Sequence, residues 1–507
     1  MSTSSQGALS GNRIWVIRFV GLGWLALATL LAFCWGRFVY DAYLTVGFPG
    51  QIDYGEGIVW QQAALIPGPR MYGDVQAYPF LVLNYPPIYH LVVHALASLG
   101  APWLMTGRLV SIASTFGLAA LLVAFVMESI RRPGQPILSR PAALAGALAA
   151  GLLLVTLRPI QDWAYTMRID LLAIALEFLG MYLALRSLRQ PALAFAAALV
   201  FVLAVYTKQT VIAGAAASFA VLLVHTPARA LRAALFAVLV GGVALAVLTL
   251  VTHGGFPRHI IVYNVNRFSF RTAYEKLFAF GILRDYPLYL SIATAMAATL
   301  IVRHWGRLRE MQPGHAIILL YFLLSTVSLL SLGKSGAANN YMIPWVCSWA
   351  VLIGLALVDL GQKAEQEARA LPLLALLALL IVQASVTPAY DTRRLVDPQV
   401  RREYAELVAM TRRATKPVFS EDMVVVMQAG KEVPWEPAII TELTTMGMFD
   451  ERKIISMIEA HDLAFAVVTG NMGVGRYTPT MRTALMKAFP VERSLAGERV
   501  LLPVESN

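Results

Sequence analysis

"QIDYGEGIVWQQ" fills residues 51–62 and carries two carboxylates, Asp53 and Glu56, a short way beyond an apolar run that ends near Gly36. Two acids placed just outside a greasy segment are costly unless they meet water, a partner or a substrate. How the rest of the chain is read depends on which side of a membrane that stretch faces.

Working outward, the 507 residues are 58% hydrophobic and only 14% charged, against about 25% charged in an ordinary soluble domain. Apolar runs recur from Ile14 to about Val386, several of them 18 residues or longer. Such runs are transmembrane-helix candidates. After Thr387 the composition turns ordinary, and a second, soluble domain is expected there. The net charge of +11 would suggest nucleic acid in a soluble protein. Here the basic residues sit mostly in short loops between apolar runs, which sets membrane orientation, so no nucleic-acid partner is expected. Cys34 and Cys347 lie inside apolar runs, leaving no disulfide framework and no Cys-based zinc site. The apolar stretch behind Arg18 lacks a small-x-small cleavage site and is read as a retained first helix.

Eleven spans are expected, at roughly 14–36, 106–129, 139–157, 169–186, 191–206, 209–225, 233–252, 286–303, 314–332, 341–360 and 369–387. The fifth and sixth are short enough to form a tilted or re-entrant pair. "NYPPIYHLVVHALASLG" (84–100) is apolar but too short to span; Pro86-Pro87 fix its start, and it is read as an interfacial helix on the outer surface. The expected fold is an all-α polytopic membrane domain over 1–388, with outer-face interfacial helices and a large outer loop at 37–105, followed by a small α/β domain over 389–507. In the tail, "PVFSEDMVVVM" (417–427), "AFAVVTG" (464–470) and "RVLLPVE" (499–505) are strand candidates, and "DERKIISMIEAHD" (450–462) is a helix candidate.

The loops sort by charge. "RRPGQPILSR" (131–140), "RSLRQ" (186–190), "HTPARALR" (225–232) and "RHWGRLRE" (303–310) fall on one side with the N-terminus, which the positive-inside rule makes cytoplasmic. The other side receives 37–105, "RPIQDWAYTMRID" (158–170), 253–285, "GKSGAANNY" (333–341) and the tail. A multi-pass inner-membrane protein with a periplasmic or extracellular C-terminal domain follows. Asp53 and Glu56 then face outward among Tyr54, Trp60, Tyr72, Tyr78, Tyr85 and Tyr89. Carboxylates beside aromatic rings suit a sugar: acids accept hydroxyl hydrogen bonds or take a proton, and ring faces pack on pyranose C–H surfaces.

The order "DYGEG", "IPGPRMYGD" (66–74), "LNYPPIYHLVVHAL" (83–96) and "GRLVSI" (107–112), then "MRIDLLAIALEF" (167–178), "YTKQT" (206–210) and "ANNYMIPW" (338–345), resembles the membrane-embedded GT-C glycosyltransferases. The branch is that of protein O-mannosyltransferases and the lipid A aminoarabinose transferase, and the resemblance covers roughly residues 14–350. It implies a sugar donor linked to polyprenyl phosphate and an acceptor (a lipid-linked glycan, a lipid headgroup or a protein) that arrives from the outer side. Asp53 matches the loop acid that acts as general base, Asp170 the second outer-loop acid, and inversion is the implied outcome. The branch often has adjacent acids; here Glu56 stands three residues on, so it too is a candidate base, with Asp53 favoured. Where the aminoarabinose-transferase type has a charged residue before its "PP", this chain has Asn84-Tyr85.

A sugar phosphate already has a good leaving group, so no second acid is needed to protonate it, unlike a glycoside. Positive charge near the departing phosphate is needed instead. Candidates are Arg168, Lys208, Arg258, Arg267, Arg271 and Lys334, with Lys208 or an arginine of 253–285 expected on the phosphate. Tyr85, Asn339, Asn340 and Tyr341 are candidate hydrogen-bonding groups in the cavity. Asp162 is read as a solvated loop acid. His90 and His94 have a metal-ligand spacing, but Leu91 stands where a zincin needs glutamate, so packing against headgroups is expected. No cofactor is firmly implied; besides the histidine pair, a divalent ion between Asp53 and Glu56 is a metal option, since some GT-C relatives use one. "LGKS" (332–335) lacks the glycine of a P-loop. A glycolipid transporter or flippase is the rival reading, disfavoured by the lack of paired halves. A non-catalytic scaffold is the third.

Overall fold

The structure is a computed structural model that describes residues 4–131, 141–367, 369–470, 472 and 475–504. All but Arg131 of the expected basic loop 131–140 lies outside these residues. Lipid offers the backbone no hydrogen-bond partner, so an apolar run must close its own bonds as a helix. Each of the eleven apolar segments does so.

In chain order the helices are α1 (Ser4–Val46), α2 (Gly55–Leu65), α3 (Ile88–Ala97), α4 (Trp103–Ser129), α5 (Pro141–Leu152), α6 (Arg158–Ala164), α7 (Asp170–Ser187), α8 (Leu193–Val205) and α9 (Ala213–His225). They continue as α10 (Pro227–Val251), α11 (Gly255–Ile260), α12 (Phe270–Ala279), α13 (Ile282–Asp285), α14 (Pro287–Arg303), α15 (Pro313–Ser328), α16 (Ile343–Glu367) and α17 (Leu371–Ser385). Among the described residues, five helices are long and apolar enough to cross a membrane alone, and seven spans result if two bent pairs count as one each. One pair joins Pro141–Thr156 to Arg158–Ala164 at 65°, the other Phe270–Asp285 to Pro287–Arg303 at 92°. The helices α8, α9 and α17 are apolar but shorter. Prolines open α10, α14 and α15, where the missing N–H costs nothing.

The core runs through α16, which packs on α5, α4 and α14, while α7 packs on α4 and α8. Its apolar window is 89% buried, whereas none of the α10 window is. The α16 helix is therefore interior, while α10 lies at the outside of the bundle, packed on α8 and α9. Helix α1 continues to Val46, so the expected loop at 37–105 opens ten residues late. The reason is local: Arg37 pairs with Asp41 one turn on at 3.0 Å, while Phe38 and Ala42 are buried in the core.

The C-terminal part holds α18 (Arg393–Val396), α19 (Pro398–Arg413), β1 (Phe419–Ser420), α20 (Met423–Gln428), α21 (Pro437–Thr445), α22 (Arg452–Glu459), β2 (Ala466–Val468), α23 (Pro479–Ala488), β3 (Val491–Leu495) and β4 (Glu498–Leu502). The sheet order is β1-β2-β4-β3, with β1 and β2 parallel and the other pairs antiparallel. The expected strand 417–427 stops at Ser420, and "MVVVM" is helical. Asp422 accepts the Val425 N–H at 3.3 Å as an N-cap, and buried valines on every side remove the alternation that a half-exposed strand needs. The core of this part takes in Val75, Phe80 and Val82 of the first outer loop beside Phe419, Trp435 and Leu501.

Candidate active site

The opening stretch is fixed from inside. Glu56, in the first turn of α2, points into the protein and meets Arg108 of α4; neither side chain has any exposure. Arg108 Nε donates to Glu56 Oε1 and Nη2 to Oε2, both at 2.8 Å. The other Arg108 donors reach the carbonyls of Thr45, Phe48 and Gly50 at 2.6–2.7 Å. All five guanidinium N–H groups are thus used. The Glu56 oxygens also accept the Ile52 and Met167 amides at 2.7 and 2.8 Å. This corrects the expectation that Glu56 could serve as base or metal ligand: it is a saturated internal anion that ties 45–56 to the turn before α7.

That turn delivers Arg168, whose carbonyl accepts from Ser111 Oγ at 3.1 Å. Its guanidinium crosses directly over the Cα of Gly55; a Cβ built there would overlap Nη1. Nη1 donates to Asp53 Oδ2 at 3.0 Å, Nη2 to the Tyr85 hydroxyl at 3.4 Å, and Cζ lies 4.6 Å from the Trp163 ring centroid. Asp53 Oδ2 also accepts the Gly55 amide at 2.8 Å. Among the described residues nothing donates to Asp53 Oδ1, and this side chain is 33% exposed. Burial pushes the Tyr85 hydroxyl above its ordinary range, so it stays protonated.

Asp170 opens α7 on the other side of Arg168. It accepts from Lys208 Nζ at 2.5 Å and from Asn340 Nδ2 at 2.8 Å. Lys208, in the turn between α8 and α9, lies 4.8 Å from the Tyr341 ring centroid. The partner expected for this lysine was the ligand; the structure supplies a protein carboxylate, because a lysine buried here needs an anion at rest. Arg168 Nε stands 3.9 Å from Asp170 Oδ2, beyond hydrogen-bond reach. Both atoms are buried without a hydrogen-bond partner among the described residues, as are Asn340 Oδ1 and Gln209 Oε1. Three of these orphaned atoms, on Arg168, Asp170 and Asn340, belong to one linked group, where a further polar guest would find partners. Asn339 sits at the rim, accepting from Trp163 Nε1 at 2.5 Å and donating to Asp162 at 2.7 Å.

Asp53, Tyr85, Arg168, Asp170, Lys208, Asn340 and Tyr341 therefore meet from five separate segments. Arg258 is exposed on α11, Arg267 pairs with Glu442 at 3.2 Å, and Arg271 pairs with Glu275 at 2.7 Å along α12. Lys334 lies at a β-bridge with Phe268. Among the described residues none of these four has a hydrogen bond or ion pair with the cluster. His90 is fully buried beneath Tyr85 and Tyr89, so it does not reach headgroups as expected, and the half-buried His94 lies 3.0 Å from the Ala63 carbonyl.

Sequence reasoning missed several contributors. Glu177 lies seven residues after Asp170, on the same face of α7. It accepts the Gly214 amide at 2.6 Å and the Tyr321 hydroxyl at 2.8 Å, fixing the start of α9 beside the turn that carries Lys208. Tyr54, next to Asp53, donates to Glu436 of the C-terminal part and lies under Arg476, 4.1 Å from ring centroid to Cζ. Burial raises the Glu436 carboxyl, even with the Tyr54 hydroxyl and the Ala438 and Ile439 amides pulling it down. A carboxylate inside an apolar helix was the available signal for Glu177; nothing local marks Tyr54.

The donor set does not fit a divalent ion. Glu56 is turned away on Arg108, and Asp53 and Asp170 already share the Arg168 cation between them. Among the described residues no three His, Cys, Asp or Glu side chains are grouped for a metal.

No family sequence profile matches the chain, and no curated protein matches it by sequence. Its fold is similar to that of solved membrane proteins. Apo ArnT from Cupriavidus metallidurans superposes with a TM-score of 0.56 at 14% identity, covering 97% of this chain and 98% of that one. The same protein bound to undecaprenyl phosphate gives 0.54 at 14% identity, with the same coverage. The archaeal oligosaccharyltransferase AglB from Archaeoglobus fulgidus, in complex with an inhibitory peptide and a dolichol-phosphate, gives 0.50 at 12% identity, covering 93% of this chain and 74% of that one. At such identities it is the fold that is shared.

Proposed function

We propose that this protein is a glycosyltransferase that moves a sugar from a polyprenyl-phosphate carrier to an acceptor hydroxyl on the non-cytoplasmic face of a cell membrane. The observation that carries the reading is one carboxylate with two different oxygens. Asp53 Oδ2 is held by Arg168 and the Gly55 amide while Oδ1 is open, beside two cations whose neighbourhood contains unfilled polar atoms. Structures with this fold contain undecaprenyl phosphate or a dolichol-phosphate, which supports a lipid phosphate as the carrier.

In this reading the acceptor oxygen attacks the anomeric carbon and gives its proton to Asp53 Oδ1. The bond from that carbon to the phosphate oxygen breaks, and its electron pair leaves on the polyprenyl phosphate. Arg168 and Lys208 receive the charge that develops there, in a buried setting where fixed cations act strongly. A single displacement on the face opposite the leaving group inverts the anomeric centre. Asp170, itself held by Asn340, keeps Lys208 in place, Tyr85 stands against Arg168 and Tyr341 against Lys208. Arg258, Arg267, Arg271 and Lys334 have no part in this step. Residues 1–388 form the catalytic membrane domain. Residues 389–507 form an outer domain that clamps the base-bearing loop through Tyr54, and the N-terminus is cytoplasmic.

Mass analysis of envelope glycolipids tests the reading, comparing cells without the gene, with the wild type and with Asp53→Asn. A sugar-bearing species that disappears and returns only with the wild type is expected. No change in any such species, or full restoration by Asp53→Asn, would contradict it.

A further inference from the structure

The loop from α11 to α13 presents apolar side chains to the outside. Phe270, Tyr274 and Phe278 are 71%, 65% and 52% exposed. They recur every four residues and so form one stripe on α12. Ala273 and Leu277, on the neighbouring stripe, face the protein core, and Arg271 and Glu275 make an exposed polar stripe on the other flank. Three stripes in that order (protein, aromatic, charged) are what a helix needs at a boundary between lipid and water.

The geometry around α12 points the same way. The Phe270–Asp285 segment meets Pro287–Arg303 at 92°. If α14 crosses the membrane, α12 lies along its surface, at the level where α14 begins. Phenylalanine and tyrosine are the residues expected there, with an apolar body and, for tyrosine, a wet tip. We propose that α12 is a membrane-docking helix whose aromatic stripe seats at the headgroup–acyl boundary of the leaflet facing the C-terminal part. The protein side of the same helix carries Lys276, which donates to the carbonyls of Lys334 and Ala337 at 3.0 and 2.8 Å. Those carbonyls belong to the loop that runs directly into Asn340. The seat of α12 in the bilayer thus sets the height of that loop. Docking depends only on the membrane reading, so it stands or falls separately from sugar transfer.

Nitroxide labels test it on the full chain in phosphatidylcholine–phosphatidylglycerol vesicles, placed singly at Tyr274→Cys, Phe278→Cys and Glu275→Cys in a Cys34→Ser background. Collision rates with oxygen, which partitions into lipid, and with a water-soluble nickel chelate are compared. A higher oxygen-to-nickel ratio at 274 and 278 than at 275 is the expected result. Equal ratios at all three sites would place the stripe in water. Labels at 274 and 278 shielded from both reagents would mean that protein covers it, and either result overturns the proposal. Wild-type melting temperatures and gel-filtration profiles confirm that the labelled chains are folded.

Discussion

Glu56 and Asp53 stand three residues apart, and each holds an arginine, yet the two pairs behave as opposites. The Glu56–Arg108 pair has no exposure and no unfilled donor or acceptor. The Asp53–Arg168 pair is partly open, leaves Asp53 Oδ1 without a donor, and includes an orphaned Arg168 Nε. A satisfied buried ion pair stores its interactions in the fold, while an unsatisfied one keeps some for a ligand. Counting charges in "DYGEG" cannot separate the two; counting filled hydrogen-bond positions can.

The largest expected effect falls on the closed pair. Glu56→Gln leaves the Arg108 cation buried without an anion, a cost of roughly 3–5 kcal/mol. Loss of folded protein after extraction is expected, read by gel filtration and thermal unfolding. A wild-type melting temperature would show that the pair is not the lock described. Asp53→Asn acts in the opposite way: the fold is kept, and turnover drops about 10²–10⁴-fold, the usual contribution of a general base.

The glycines of the same stretch sharpen the contrast. A Cβ at Gly55 overlaps Arg168, while a Cβ at Gly57 meets Met423 Cβ of α20 at 2.6 Å. Gly55→Ala should cost turnover about 10²-fold through displacement of the guanidinium. Gly57→Ala should instead cost stability, about 1–3 kcal/mol, with the chemistry little changed. Equal kinetic losses would erase the distinction. A smaller effect is expected at Glu177. Removing it by Ala strands the Gly214 amide and the Tyr321 hydroxyl, and turnover should fall about tenfold, equivalent to ~1.4 kcal/mol. Glu177→Gln keeps an acceptor for the amide and should restore most of it.

The mildest prediction concerns pH. Asp422 and Glu498 lie buried in the C-terminal part, and each has one oxygen without a partner. Burial, with each other's charge adding at Asp422, pushes both carboxyls from ordinary values of 3.8 and 4.5 up to about 7. The folded state therefore holds more protons than the unfolded one between those limits. Stability from this pair is complete at pH below the ordinary values and is lost as pH rises through about 7. The melting temperature should drop by a few degrees from pH 5 to pH 8, and Asp422→Asn, which still caps α20, should flatten the slope. A melting temperature that rises over that range would contradict the sign.

Much of the fold was legible because a bilayer leaves an apolar run one way to satisfy its backbone. All eleven apolar segments are helical for that reason. Boundaries were less legible where polar residues pair along a helix, as Arg37 and Asp41 do in extending α1, and where a cap overrides β-propensity, as Asp422 does before "MVVVM". At the site, the residue types could be read from motif order: Asp53, Tyr85, Arg168, Asp170, Lys208, Asn340 and Tyr341 converge. Their pairing could not, because it is set by contacts between distant segments. Arg108 was visible as an arginine inside an apolar helix, and such a residue must have a partner, but nothing local names Glu56. Tyr54 and Glu436 are 382 positions apart, a distance over which one sequence holds no pairing signal. The candidate arginines of 253–285 carried the right charge for a phosphate, but Arg267 and Arg271 pair with Glu442 and Glu275, and Arg258 is exposed.

The most direct test measures undecaprenyl-phosphate binding and sugar transfer on the same purified preparations of wild type and Asp53→Asn. Equal binding and a collapse of transfer in the variant are expected, since Arg168 and Lys208 hold the carrier and Asp53 takes the proton. Transfer that survives undiminished in a variant that binds the carrier normally would contradict it.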